Sequence, residues 1–439
     1  MMMLRLSRRS TRGRDAVSLI AMAGMLVAAA GCSSTGPKSG SLAVTITAPA
    51  GVTPAVTVAG GNNYSKTIAA TTTLTGLAPG SYTVTAANVA SSNAIVGTMN
   101  TAVVSGSPVT VSAGGSPAMA SATYTARAGS GGMWVANFGA THTLAQYTAA
   151  QLGASSSVAA ATAIAFATQS MFETFDANGN LWMSTWTGQT IVEYSASQLA
   201  ASGTPTPAVI LTSNAGSLAA TGGLAFDANG NLWVATANTL VEFTPSQLAS
   251  SGDPTPAVTI SASAGSLSNP IPIAFDASGN LWVGNTSNTI VEFTPSQLSA
   301  TGAPTPTVTV TAVSNSIVGP LAMAFDPTGN LWVANGNNSQ NTVVEFSKSQ
   351  LAASGTPTPA VTLSANAGSL SNPAGLAFDA TGNLWVSNAS GATGIEEFTA
   401  SQIVASGSPA PTTAITSASL SEPFGIAFNP HATNLPIKP

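Results

Sequence analysis

Phe226-Asp227-Ala228-Asn229-Gly230-Asn231-Leu232-Trp233 has four counterparts in this chain, at Phe175 to Trp182, Phe275 to Trp282, Phe325 to Trp332 and Phe378 to Trp385. The tryptophans that end these five stretches lie 51, 49, 50 and 53 residues apart, and Trp134 stands 48 residues before the first. A fixed period of that size is the mark of a repeat architecture and governs how every single residue is read.

The flanks of the second copy carry four short apolar runs. Gly223 to Phe226 reads as a strand, and Asp227 to Asn231 as a turn in which the Gly supplies positive φ and the Asp bonds nearby amides. Leu232 to Thr236 and Thr239 to Thr244 read as the second and third strands. Pro256 to Ser261, after a Thr-Pro-Thr-Pro segment, reads as the fourth. Four antiparallel strands per period describe one blade of a β-propeller. Helical repeats are excluded, because Val, Ile, Thr and aromatic residues fill the runs and none shows helical spacing over a useful length.

Ring closure sets the expected blade count. First strands recur at Phe172 to Phe175, Gly223 to Phe226, Pro272 to Phe275, Ala322 to Phe325, Gly375 to Phe378 and Gly425 to Phe428. Second strands begin at Met133, Leu181, Leu232, Leu281, Leu331 and Leu384, and the one at Met133 has no first strand before it. The unmatched Gly425 to Phe428 fits that vacancy. The expectation is an all-β chain with a six-bladed propeller whose first and last strands share one blade and so leave no open edge. Asn434 to Ile437 imitates Asn-Leu-Trp-Val, but Pro436 lacks a donor, which favours Met133 to Asn137 for the slot.

At the start of the chain, Arg5, Arg8, Arg9, Arg12 and Arg14 precede an uncharged run from Ala16 to Ala30, and Gly31-Cys32 follows. A basic segment, a short apolar core and small residues describe an export signal too short for a comfortable membrane span. The stretch resembles the bacterial lipoprotein signal. That resemblance implies cleavage after residue 31, acylation of Cys32 and a membrane partnership through the lipid. Ser33 in second place implies the outer membrane, on its periplasmic or cell-surface side. Arg8-Arg9 also forms a twin-arginine pair without the usual hydrophobic follower, so Sec and Tat export both stay open. Cys32 is the chain's single cysteine, which rules out an intrachain disulfide.

Residues 32–40 read as a Ser/Gly/Pro tether. From 41 to 128 the pattern alternates and is rich in Val and Thr, as in Leu42 to Thr47 and Gly80 to Thr85, which argues for a small β-sandwich. Leu74 to Ala86 contains Gly-Leu-Ala-Pro-Gly-Ser-Tyr and resembles a motif of bacterial Ig-like and transthyretin-like modules, where it implies a spacer. Residues 129–439 form the propeller segment.

Only 6% of residues are charged. Beyond the signal, Lys38, Lys66, Arg127, Lys348 and Lys438 are the only cations against fourteen acids (15 in the whole chain less Asp15), leaving a net charge of −9. An acidic chain without a basic patch excludes nucleic acid as a partner.

The Gly-Asn-Leu-Trp-Val-x-Asn signature, spread over Met133 to Pro430, resembles NHL-type propellers and the streptogramin (virginiamycin B) lyase-like family. The matching residues are blade builders, so the resemblance implies fold before activity. Lyases of that family imply a metal and a histidine acid–base group. His142 and His431 are the only histidines and fall outside the five full repeats, so no catalytic residue, cofactor or metal ligand is assigned. The repeated Asp176, Asp227, Asp276, Asp326 and Asp379 read as turn residues, since no Glu follows at calcium-loop spacing. Glu193, Glu242, Glu292, Glu345 and Glu397 read as third-strand residues bonded by neutral donors.

Departures from the repeat point to a site. Glu173 replaces an apolar residue on a first strand, and Trp186 is the one tryptophan outside the blade positions. Together with Asn137, Asn285, Asn335 and Asn388, and with the loop residues Asn288, Asn337 and Asn338, they are expected to line one mouth of a central channel. That mouth would suit a neutral polar ligand such as a glycan, or a protein partner. The function expected is a lipid-anchored binding or scaffold module of the cell envelope. A metal-assisted lyase or a gluconolactonase-like enzyme, and a purely structural protein, are the alternatives.

Overall fold

The computed structural model describes residues 39–429, apart from 50–51, 88, 92–97, 127–131, 141, 187, 214–215, 262, 264, 312, 337–339, 367, 380 and 391–393. Cys32, Asn337, Asn338, His431 and the stretch from Asn434 to Ile437 lie outside the described residues.

Among the described residues the chain is nearly all-β, with eight sheets. The strands between Gly40 and Ala126 make two of them, one of five strands and one of four. Alternation puts Leu42, Val44, Val56, Val58, Tyr82, Val84 and Tyr124 on the inward faces, where they share one core. Gly40–Thr47 runs parallel to Ala118–Ala126, which ties the start of this segment to its end.

The strands between Gly132 and Asn429 form the other six sheets, each of four antiparallel strands, in the manner of a β-propeller. One sheet consists of Leu224–Phe226, Leu232–Ala235, Thr239–Phe243 and Val258–Ser261. Its fourth strand starts two residues later than the sequence suggests, because Pro254 and Pro256 have no N–H to give a ladder. Five first strands start two residues earlier than expected, among them those at Pro270, Pro320 and Pro373. Each of these three carries a bulge after its proline, which lets a residue without a donor open the strand.

The repeated Phe and Trp cement one sheet to the next. Trp182 meets Phe226 edge-on with ring centroids 6.2 Å apart, and Trp282–Phe325, Trp332–Phe378 and Trp385–Phe428 repeat the contact at 6.2, 6.1 and 6.2 Å. Such pairs add about 0.5–1.5 kcal/mol each beyond the area they bury. The period of the sequence is therefore the period of a sheet-to-sheet joint.

The first strands pack side by side in chain order, and Pro423–Asn429 packs against Ser170–Phe175. As expected from the vacancy in the sequence, Pro423–Asn429 pairs antiparallel with Gly132–Asn137, with Met133 opposite Phe428 and Val135 opposite Ile426. The outer rim is joined as well. In the sheet that ends with Val209–Leu211, Thr212 N donates to Gly252 O at 2.9 Å and Gly252 N to Ile210 O at 3.0 Å, so a loop of the next sheet covers the outer strand. The same parallel bridge recurs at Ile164–Gly203, Ile260–Gly302, Val310–Gly355 and Leu363–Gly407, and Ser156 supplies it to Ile415.

Candidate functional site

A cavity of about 360 Å³ lies along the axis, walled by the six first strands. Three residues before each motif Phe or its equivalent comes a small residue, a proline or Phe172, and one residue further on the side chain lines the cavity. Leu224, Ile273, Met323, Leu376 and Ile426 hold that second position, and Glu173 is the sixth. The entering ends of the strands hold an apolar cluster that includes Met171, Phe172, Ile271, Leu321 and Phe424, with Phe138 packed on it. Phe138 and Phe172 approach Phe424 with ring centroids 5.2 and 6.4 Å away. At the other end the walls continue into the Asp turns, with Asp276, Asp326, Thr328 and Lys348.

Glu173 is 9% exposed. Its Oε1 accepts a hydrogen bond from Ala136 N at 3.2 Å, across the joint to the sheet that unites both ends of the propeller segment. The ladder between Gly132–Asn137 and Pro423–Asn429 skips the Ala136–Gly425 pair, and the carboxyl takes the N–H left over. Oε2 has no hydrogen-bond partner among the described residues. Burial pushes this carboxyl well above the usual range, opposed only by the Ala136 bond. Gly425 is what makes room, since a Cβ there would overlap the carboxylate.

Trp186 is 37% exposed and follows the second strand Leu181–Thr185, where its N–H donates to Gln169 O at 2.8 Å. It therefore sits beside the entering end of Ser170–Phe175, away from the Asp turns, and is not among the walls of the cavity. The expected mouth shared by Glu173 and Trp186 is not formed. Apolar residues occupy that end of the axis, and the cavity opens at the opposite one.

The asparagines are not among the walls of the cavity either. Asn137, Asn285, Asn335 and Asn388 are all at most 1% exposed. Asn285 Oδ1 accepts from Ser268 N at 2.9 Å, while its Nδ2 donates to Ser266 O and Thr289 Oγ1, both at 3.0 Å. Asn335 repeats this with Val318 N, Ser316 O and Thr342 Oγ1, and Asn388 with Ser371 N and Ser369 O. Asn137 does so with Ser421 N, Ser419 O and Thr143 Oγ1. Their amides stitch the loop entering each sheet to its own hairpin and are not presented to a ligand. Asn288 Oδ1 likewise accepts from Gly319 N of the following sheet at 2.9 Å. The signal was present in the sequence, because each of the four stands three residues after a repeated Trp, a builder's position.

The Asp turns are as read. Asp326 Oδ1 accepts from Thr328 Oγ1, Thr328 N and Asn330 N at 2.7, 2.8 and 3.0 Å, and its Oδ2 from Asn330 Nδ2 and Trp332 Nε1 at 2.9 and 3.2 Å. Burial alone would raise this carboxyl, but those donors outweigh it and hold it below its usual value. Each third-strand Glu lies near the Asp of its own turn, and burial first, then that neighbouring charge, raises Glu242, Glu292 and Glu345 and takes Glu193 to about 7. Glu397 is bonded by neutral donors, Asn383 Nδ2 at 2.8 Å and Thr413 Oγ1 at 2.6 Å.

Sequence reasoning missed Glu396. It stands where the other sheets carry Val192, Val241, Val291 and Val344, is 1% exposed, and leaves Oε2 without a partner among the described residues. Burial pushes it up to about 8, against a hydrogen bond with Asn388. The departure from Val was the available sign. His142 takes a positive φ of 38° just before Thr143–Thr148. Among the described residues no three His, Cys, Asp or Glu side chains are grouped so as to hold a metal ion.

No protein-family model matches the sequence, and no curated protein matches it. Among solved structures the chain is similar to virginiamycin B lyase from Staphylococcus aureus, at 16% identity over 53% of this chain and 67% of that one, with a TM-score of 0.38. It is similar to a protein of unknown function from Bacteroides caccae at 12% identity over 68% of this chain and 98% of that one, with a TM-score of 0.48. A streptogramin B lyase matches at 12% identity over 80% and 91%, with a TM-score of 0.40. Likenesses this weak carry no activity across.

Proposed function

We propose that the chain is a lipid-anchored binding module of the cell envelope. An acyl group on Cys32 would hold it to the outer membrane, residues 41–128 would act as an Ig-like spacer, and a six-bladed propeller would take its ligand at the axial cavity. The blade count is supported by the six four-stranded sheets between Gly132 and Asn429 and by the pairing of Pro423–Asn429 with Gly132–Asn137.

The observation that carries the binding role is the cavity itself, open among the Asp turns and large enough for a small molecule by the usual scale of ligand pockets, roughly 300–1,000 Å³. Screening glycans, short peptides and small metabolites by saturation-transfer NMR tests it, with Ala274→Trp as the control that fills the cavity. Ligands lost in the variant support the reading. A screen with no ligand, or with ligands that bind the variant equally well, overturns it. For the anchor, wild-type protein should fractionate with membranes and carry added acyl mass, and Cys32→Ala should do neither.

A further inference from the structure

The cavity is not symmetric about its axis. Around most of the ring the motif phenylalanines are buried, as Phe175, Phe226, Phe378 and Phe428 are, whereas Phe275 and Phe325 are only partly so. Both belong to the walls, and so do the turns that follow them. That side of the wall therefore carries the two less buried phenylalanine rings together with Asp276, Asp326 and Lys348.

The ionisable groups of the wall are three acids, Glu173, Asp276 and Asp326, and one base, Lys348. Glu292 and Glu345 stand behind the two turns, near enough for the aspartates to raise them. Deeper in, aliphatic side chains surround Glu173, whose Oε2 has no hydrogen-bond partner among the described residues. An anion at the mouth meets the like charges of Asp276 and Asp326, and a neutral polar molecule has mostly hydrocarbon to lie against. A cation with an apolar body meets opposite charge at the rim, aromatic faces beside it and an apolar bore below.

We infer that the axial cavity takes a small organic cation, an ammonium group at the Asp276/Asp326 rim with its hydrocarbon part directed down the bore toward Glu173. This rests on the binding role proposed above and names the class of ligand for the same site. Lys348 is the one feature of the wall that opposes it. In the other sheets Ala196, Pro245, Pro295 and Ala400 occupy the corresponding place, so those turns form without a lysine there.

Three probes of one length separate the possibilities: pentylammonium, pentan-1-ol and pentanoate, titrated by NMR into the full chain. Pentylammonium should bind about tenfold more tightly than the alcohol, as a charge contact of about 1.4 kcal/mol implies, and pentanoate should bind most weakly. Lys348→Met should tighten the ammonium a few-fold, and added salt should weaken it. Ala274→Trp should abolish binding, with Ala324→Trp on the adjacent strand as a second block should the first not fold. Equal or tighter binding of the alcohol or of pentanoate overturns the charge assignment and leaves the binding role standing. Failure of all three probes overturns this inference, and the binding role falls with it only if the broader screen also finds nothing that Ala274→Trp removes.

Discussion

Glu173 and Gly425 behave as one unit. Gly425→Ala drives a methyl group into the Glu173 carboxylate and toward Met171 O, and should cost about 1–3 kcal/mol, the usual range for overpacking. In a Glu173→Ala background the same change should cost less, and a double-mutant cycle by chemical denaturation should give a coupling of at least about 0.5 kcal/mol. Additive effects would show that the carboxyl does not occupy the space Gly425 leaves. Tryptophan indoles give a second comparison. Trp385 Nε1 donates to Asp379 at 3.1 Å, whereas Trp134 Nε1 is buried with no partner among the described residues. Trp385→Phe should therefore destabilise more than Trp134→Phe, because only the former takes a donor from a buried carboxylate oxygen, leaving Asp379 Oδ2 with Asn383 Nδ2 alone. The repeat made these phenylalanines, tryptophans and aspartates legible in the sequence. Glu173 stood out by replacing an aliphatic residue, but which end of the axis it served did not, since that depends on how Phe138, Phe172 and Phe424 meet in space.

At the scale of the element, each third strand hands over to the fourth through a Gln-centred turn. Gln297 Oε1 accepts from Thr294 N at 2.9 Å and Gln297 Nε2 donates to Thr305 O at 2.6 Å, and Gln198, Gln247, Gln350 and Gln402 do the same in their sheets. The sequence shows the recurrent Ser-Gln-Leu plainly, but a linker and a turn clamp look alike until the carbonyl eight residues on is known to lie opposite. Gln297→Ala should lower stability by about 1–2 kcal/mol, the cost of leaving backbone groups without their partner, and should speed amide exchange at Thr294, whose N–H the glutamine accepts, before the sheet ladder itself. Uniform exchange along the sheet would argue against a local clamp. Asp326→Ala removes five bonds at once, including that of the Trp332 indole, and should cost more than Gln297→Ala.

For the molecule as a whole, the buried carboxyls fix the sign of the pH response. Glu396, at about 8 when folded, Glu193, at about 7, and Glu173, also raised, keep their protons in the native state while an unfolded chain loses them near the ordinary value of about 4.3. Between that value and the folded ones the native state binds more protons, so stability falls as pH rises through the window, past about 7 for Glu193 and about 8 for Glu396. The melting temperature should be higher at pH 5 than at pH 8 by several degrees, and Glu396→Val should narrow the difference by stabilising the protein chiefly at the alkaline end. A melting temperature that climbs from pH 5 to pH 8 would contradict the burial of these groups. Ring closure, too, is a property of the whole. Removing residues 423–439 leaves Gly132–Asn137 without its inner neighbour and should abolish cooperative unfolding. The loops that bridge Leu211 to Gly252, Ile260 to Gly302 and Ile415 to Ser156 have a consequence for crowded solutions. They cap the outermost strands against recruitment by another copy, so the chain should stay free of fibrils when concentrated, and loosening one cap, as by Ser251→Pro, should supply the template on which copies stack.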